Sequence, residues 1–110
     1  MRTRTLTLCL LVDPPVSRKN RNRNAGLVGR MAVAYVANCG LTPLKPEGRV
    51  GIGFDWYTEY DVDPVLTLAL LRNILVVHGV LPASCIAFPM ECRVHKGERK
   101  LILRLRQETD

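Results

Sequence analysis

The stretch from Val65 to Val77 restricts this chain more than any other, because only Thr67, Arg72 and Asn73 within it are polar. A helix that is apolar all round is either buried on every side or has one face covered by another subunit. Its limits are well marked. Asp63-Pro64 offers an N-cap carboxylate followed by proline at the first helical position, and Gly79 ends the helix at about His78. A chain of 110 residues makes one domain, spanning residues 1–110, and can hardly wrap such a helix completely. The expectation is a single domain that forms a homodimer.

Arg49 to Trp56 alternates cleanly, with Val50, Ile52, Phe54 and Trp56 on one face of a strand. Thr3 to Val12 begins in rough alternation and turns continuously apolar. That predicts a strand buried on both faces toward its end, stopped by Asp13-Pro14-Pro15. Val16 to Asn24 has no hydrophobic period and reads as a loop. Ala25 to Asn38 reads as a helix capped by Asn24, with Leu27, Val28, Met31, Tyr35 and Val36 as its apolar stripe. Ala83 to Val94 and Arg99 to Arg106 read as two strands joined in a hairpin around Lys96-Gly97, and Pro89 implies an edge position or a bulge. The order β-α-β-α-β-β gives an α+β fold: a mixed sheet with two helices. Aromatic residues make up only 5% of the chain, so Leu, Val, Ile and Ala must build the core.

The net charge of +6 is unevenly spread. Between Pro14 and Pro46 lie Arg18, Lys19, Arg21, Arg23, Arg30 and Lys45, with no acidic residue among them. Such a field attracts polyanions, and the alternation of Arg with Asn in residues 18–24 adds amide hydrogen-bonding groups suited to a phosphate backbone. Nucleic acid is the expected partner, with Arg18, Lys19, Asn20, Arg21, Arg23 and Arg30 as its contacts. The competing reading is an ordinary solvated basic surface. No basic amphipathic helix accompanies the charges and no run reaches the ~20 apolar residues of a membrane span, so a membrane partner is not expected. Cys9, Cys39, Cys85 and Cys92 lie in apolar surroundings without a C-x-x-C pair, which reads as buried reduced thiols in a cytoplasmic protein. The apolar run Leu6–Val12 is short, holds Thr7 and lacks a small-residue cleavage site, so it reads as a strand rather than a signal peptide.

Asp61-Val62-Asp63 is the most chemically suggestive cluster. Carboxylates at i and i+2 of extended chain point the same way and repel, and a divalent cation relieves that. Mg²⁺ suits a few carboxylates with water and phosphate oxygens, and there it can activate water at a phosphodiester. The plainer alternative is an N-capping Asp63 beside a loop Asp61. Trp56 and Tyr57 could stack on an unpaired base, although the strand phase puts Trp56 in the core. His95, beside Lys96, reads as an exposed backbone contact. His78 suits a helix C-terminus, where its protonated form complements the dipole.

Taken in order, these motifs resemble the RusA family of Holliday-junction resolvases. The resemblance rests on Pro14-Pro15 followed by the Ser17/Asn20/Arg-rich segment, on Asp61-Val62-Asp63-Pro64 opening the long helix, on His78-Gly79-Val80-Leu81 closing it, and on His95-Lys96-Gly97 between the last strands. It implies a homodimer that cuts four-way DNA junctions with Mg²⁺, with Asp61 and Asp63 as catalytic metal ligands and the Arg18–Arg23 segment gripping the backbone. Two positions depart from the family pattern. Pro82-Ala83-Ser84-Cys85 holds no carboxylate where the family has a further acidic pair, and Thr67 stands where the family has lysine. Losing both would remove most of the rate. Three readings follow: a resolving endonuclease with a rearranged site, a relative that binds DNA without cutting it, and a protein-interaction module on the same scaffold.

Overall fold

The computed structural model describes residues 2–15, 19–38, 49–84 and 86–109. The chain runs β1 (Arg2–Leu10), α1 (Arg21–Asn38), β2 (Arg49–Tyr57), α2 (Pro64–Val77), β3 (Ile86–His95) and β4 (Lys100–Thr109), the predicted β-α-β-α-β-β order. The strands form one mixed sheet in the order β1-β4-β2-β3. β4 runs antiparallel to both β1 and β2, and β3 runs parallel to β2.

Period-2 alternation decides which face is covered. Leu6, Leu8 and Leu10 of β1, Val50, Ile52, Phe54 and Trp56 of β2, and Leu101, Leu103 and Leu105 of β4 are all buried. They pack with Val28, Ala32 and Val36 of α1 and with Leu71, Ile74 and Leu75 of α2 in one core. Both helices therefore lie on the same face of the sheet. Trp56 is fully buried, as its strand phase predicts, and its indole N–H donates to Val12 O at 2.9 Å.

Several expectations are corrected. β1 is buried on one face only, since Cys9 and Leu11 are exposed, and Cys9 is accordingly not a buried thiol. Cys39, Cys85 and Lys45 lie outside the described residues. α1 starts at Arg21, four residues before the predicted helix, so Asn24 lies inside it rather than capping it. The reason is tertiary: Asn24 is buried, with its amide Nδ2 donating to Asp13 O at 3.0 Å. The stripe is also rotated. Met31 and Tyr35 are exposed while Gly29 and Ala32 face inward, because α2 comes close there. A Cβ on Gly29 would lie 2.2 Å from the His78 ring, so only glycine fits.

The last two strands do not form a hairpin. They flank β2, with Tyr57 level with His95 of β3 on one side and Lys100 of β4 on the other. Residues 96–99 cross the end of β2. Pro89 does sit on an edge strand, and the register slips between Ile52 and Phe54, opposite Pro89 and Cys92, so both of its predicted roles hold.

α2 matches its expected limits. Asp63 Oδ1 accepts from Val65 N at 2.8 Å, Pro64 follows, and Gly79 closes the helix at φ 77°, a left-handed conformation that other residues rarely adopt. His78 Nδ1 lies 3.0 Å from Ile74 O and serves a terminal carbonyl of the helix. Within this chain α2 remains uncovered on one side: Val65, Leu66 and Val77 are 75%, 70% and 79% exposed. Among the described residues no helix is long and apolar enough to cross a membrane.

Candidate nucleic-acid interface

Because β1, β2 and β3 run the same way, their C-terminal ends meet at one end of the sheet, together with the start of β4 and the N-termini of both helices. Crevices outside the carboxyl ends of strands are where ligands commonly bind in open α/β sheets. Nearly all the residues singled out by the sequence sit here.

A cleft of about 430 Å³ opens between the exit of β1, the start of α1 and the segment after β2. Leu11, Val12, Asp13, Lys19, Asn20, Arg23, Asn24, Leu27, Tyr60 and Arg99 line it. Its floor is pinned from several directions. Asn24 and Trp56 hold the Asp13 and Val12 carbonyls, while Thr58 Oγ1 donates to Asp13 Oδ1 at 3.3 Å and accepts from Tyr60 N at 3.1 Å.

Of the predicted DNA contacts, Lys19, Asn20 and Arg23 line this cleft. Arg21 is exposed in the first turn of α1 beside them, and Arg30 is exposed further along the helix. The Arg30 guanidinium folds back over Gly26, toward the N-terminal turn, with Nη1 3.1 Å from the position a Cβ would take there. Arg18 lies outside the described residues. Among the described residues Arg93, Lys96, Arg104 and Arg106 make ion pairs and His95 meets the Asp55 carboxylate, and none of these contacts involves Lys19, Arg21, Arg23, Arg30 or Arg99.

The two aspartates behave differently. Asp63 caps α2. Asp61 has a side chain 98% exposed and receives the Lys96 ammonium at 2.7 Å, which holds its carboxyl below the ordinary carboxylate range. Lys96 also donates to Glu59 O at 3.0 Å and so straps the loop. A second, smaller crevice of about 320 Å³ adjoins this loop, lined by Tyr60, Asp61, His95 and Lys96 among others. Thr67 is buried, with its hydroxyl donating to Asp63 O at 2.8 Å. Among the described residues no three His, Cys, Asp or Glu side chains come together as a metal site needs. With Asp61 matched by an ammonium and Asp63 serving a helix, the donor set among the described residues does not fit Mg²⁺.

Sequence reasoning missed one cluster. On the sheet face away from the helices, Asp55 Oδ1 accepts from His95 Nε2 at 2.8 Å and Oδ2 accepts from Arg104 Nη1 at 2.7 Å. His95 stacks on Tyr57 with ring centroids 4.6 Å apart. His95 is thus tied to a buried carboxylate rather than lying free at a turn. The His95 hydrogen bond is the largest cause that draws Asp55 below its ordinary pKa, and Arg104 adds to it against the opposing effect of burial. The alternation of β2 puts Asp55 and Tyr57 on one face, but nothing local names their partners. Cys92 is half-buried, and desolvation raises its thiol, so it offers no ready thiolate.

No protein-family model matches the chain, and no curated protein matches its sequence.

Proposed function

We propose that this protein binds the phosphate backbone of DNA through the start of α1, without relying on a metal ion. The observation that carries the reading is the set of cations there: Lys19, Arg21, Arg23 and Arg30, with Arg99 across the cleft, none of them in an ion pair among the described residues. Cations without an ion-pair partner among the described residues, gathered near the N-terminal end of a helix, suit an anion. The RusA-like order of motifs points to a branched or four-way substrate in the cytoplasm. The exposed Val65, Leu66 and Val77 support a homodimer through α2, which would present two such sites.

Titration of labelled duplex and four-way-junction DNA tests this. With roughly four or five phosphate contacts, log affinity falls against log salt with a slope of about −4 and changes little when EDTA replaces Mg²⁺. A flat salt response removes the nucleic-acid reading. Nicking of the junction in Mg²⁺, abolished by Asp61→Asn, would instead establish the resolvase activity that the family resemblance implies.

A further inference from the structure

We infer that the 430 Å³ cleft is a pocket for one unstacked nucleotide of single-stranded or branched DNA, with Tyr60 as the platform for its base. Lys19, Arg23 and Arg99 surround its phosphate. The inference rests on the DNA-binding reading above and adds to it Tyr60, from outside the basic segment.

Size comes first. A duplex is gripped along its outside, whereas a concavity of this volume lies within the range of pockets that enclose small molecules. Its lining is graded rather than uniformly cationic. Lys19 comes from the segment before α1, Arg23 from the helix itself and Arg99 from the crossing between β3 and β4, so three separate pieces of chain bring positive charge to one space. Asp13 lies in the same lining, tied by Thr58. A carboxylate repels phosphate and accepts from N–H groups, so it favours a base edge on its side of the pocket. Leu11, Val12 and Leu27 supply apolar wall.

The aromatic assignment follows by elimination among the residues of this region. Trp56 is buried and hydrogen-bonded to Val12 O, and Tyr57 is stacked on His95. Tyr60 is 41% exposed and lines both this cleft and its neighbour beside Asp61. An aromatic face within a cationic groove is how proteins hold single strands without sequence preference, and a base still stacked in a duplex cannot reach one.

The experiment is fluorescence anisotropy with the full chain, comparing a labelled twelve-nucleotide oligothymidylate with a duplex of the same length in identical salt. The single strand binds more tightly than the duplex. Tyr60→Ala weakens single-strand binding at least about fivefold and leaves duplex binding nearly unchanged, and Tyr60→Phe restores it. Equal losses for both probes, or no loss for either, overturns the pocket. Wild type that binds the two probes equally, with Tyr60 inert, sinks this inference and leaves backbone binding standing. Wild type that binds neither sinks both.

Discussion

The two helices start at the same end of the sheet and are built in opposite ways. α2 begins as a stable helix should: Asp63 caps it, Pro64 fixes the first turn, and negative charge sits at the positive end of the helix dipole. α1 begins with Arg21 and Arg23, just after Lys19, and has no acidic residue in its first turn. Each cation placed against a helix N-terminus works against the dipole by about 0.3–1 kcal/mol. Two acids at this end are matched inside the protein, Asp55 by His95 and Arg104, Asp61 by Lys96. Among the described residues the α1 cations make no ion pair. One helix start serves folding, and the other carries a cost to folding that the proposed binding of an outside anion would account for.

The strongest way to break this contrast is to make α1 resemble α2. The double substitution Arg21→Glu and Arg23→Glu lowers DNA affinity at least about 100-fold in 0.1 M salt. The same variant gains about 1 kcal/mol in urea unfolding. Opposite signs are the expected result, and a loss in both measurements ends the argument for a functional α1 start.

The matched acids give the next effect. Asp55→Asn costs about 2 kcal/mol at pH 7, because the Arg104 guanidinium loses its counter-charge and His95 loses a carboxylate acceptor. The pH dependence carries a definite sign. Asp55 titrates below its ordinary value of 3.8 in the folded protein, so its contribution is complete above that value and disappears as pH falls through the lowered one. The gap between wild type and Asp55→Asn therefore begins to narrow as pH falls below 3.8 and closes only below the lowered folded value, while a gap that does not narrow on acidification would assign the loss to packing. The smallest effect sharpens the comparison from the α2 side. Asp63→Ala costs about 1 kcal/mol in stability, Asp63→Asn nearly nothing, and neither changes DNA affinity. Weaker DNA binding by Asp63→Asn would mean that this carboxylate does more than cap.

Where the sequence was read correctly, a local rule had no competitor. The alternation Val50, Ile52, Phe54, Trp56 placed β2 and its buried face, and Asp63-Pro64 with Gly79 bounded α2. The start of α1 escaped because Arg21 to Asn24 has no apolar period. Its helical turn depends on a hydrogen bond from Asn24 to Asp13, which only the tertiary fold supplies. Lys96-Gly97 is a sound turn signal, yet it says nothing about which strands pair, and β2 took the place between β3 and β4. The cleft residues Lys19, Asn20 and Arg23 were legible as a basic, amide-rich run, but Tyr60 and Arg99 join them only through topology. The Asp55, His95 and Arg104 cluster was invisible for the same reason, its members lying 40 and 49 residues apart.

The central place of β4 bears on how the molecule is made. β1 has its whole ladder with β4, from Arg2 opposite Thr109 to Leu10 opposite Leu101, and β2 also leans on it. A nascent polypeptide that has emerged only as far as β3 therefore displays one strand with no neighbour and a second with a bare edge, both rich in leucine, valine or isoleucine. Such edges invite pairing between molecules. Premature termination near residue 100 should yield inclusion bodies rather than a smaller soluble product, since it is the last-synthesised strand that zips the sheet shut.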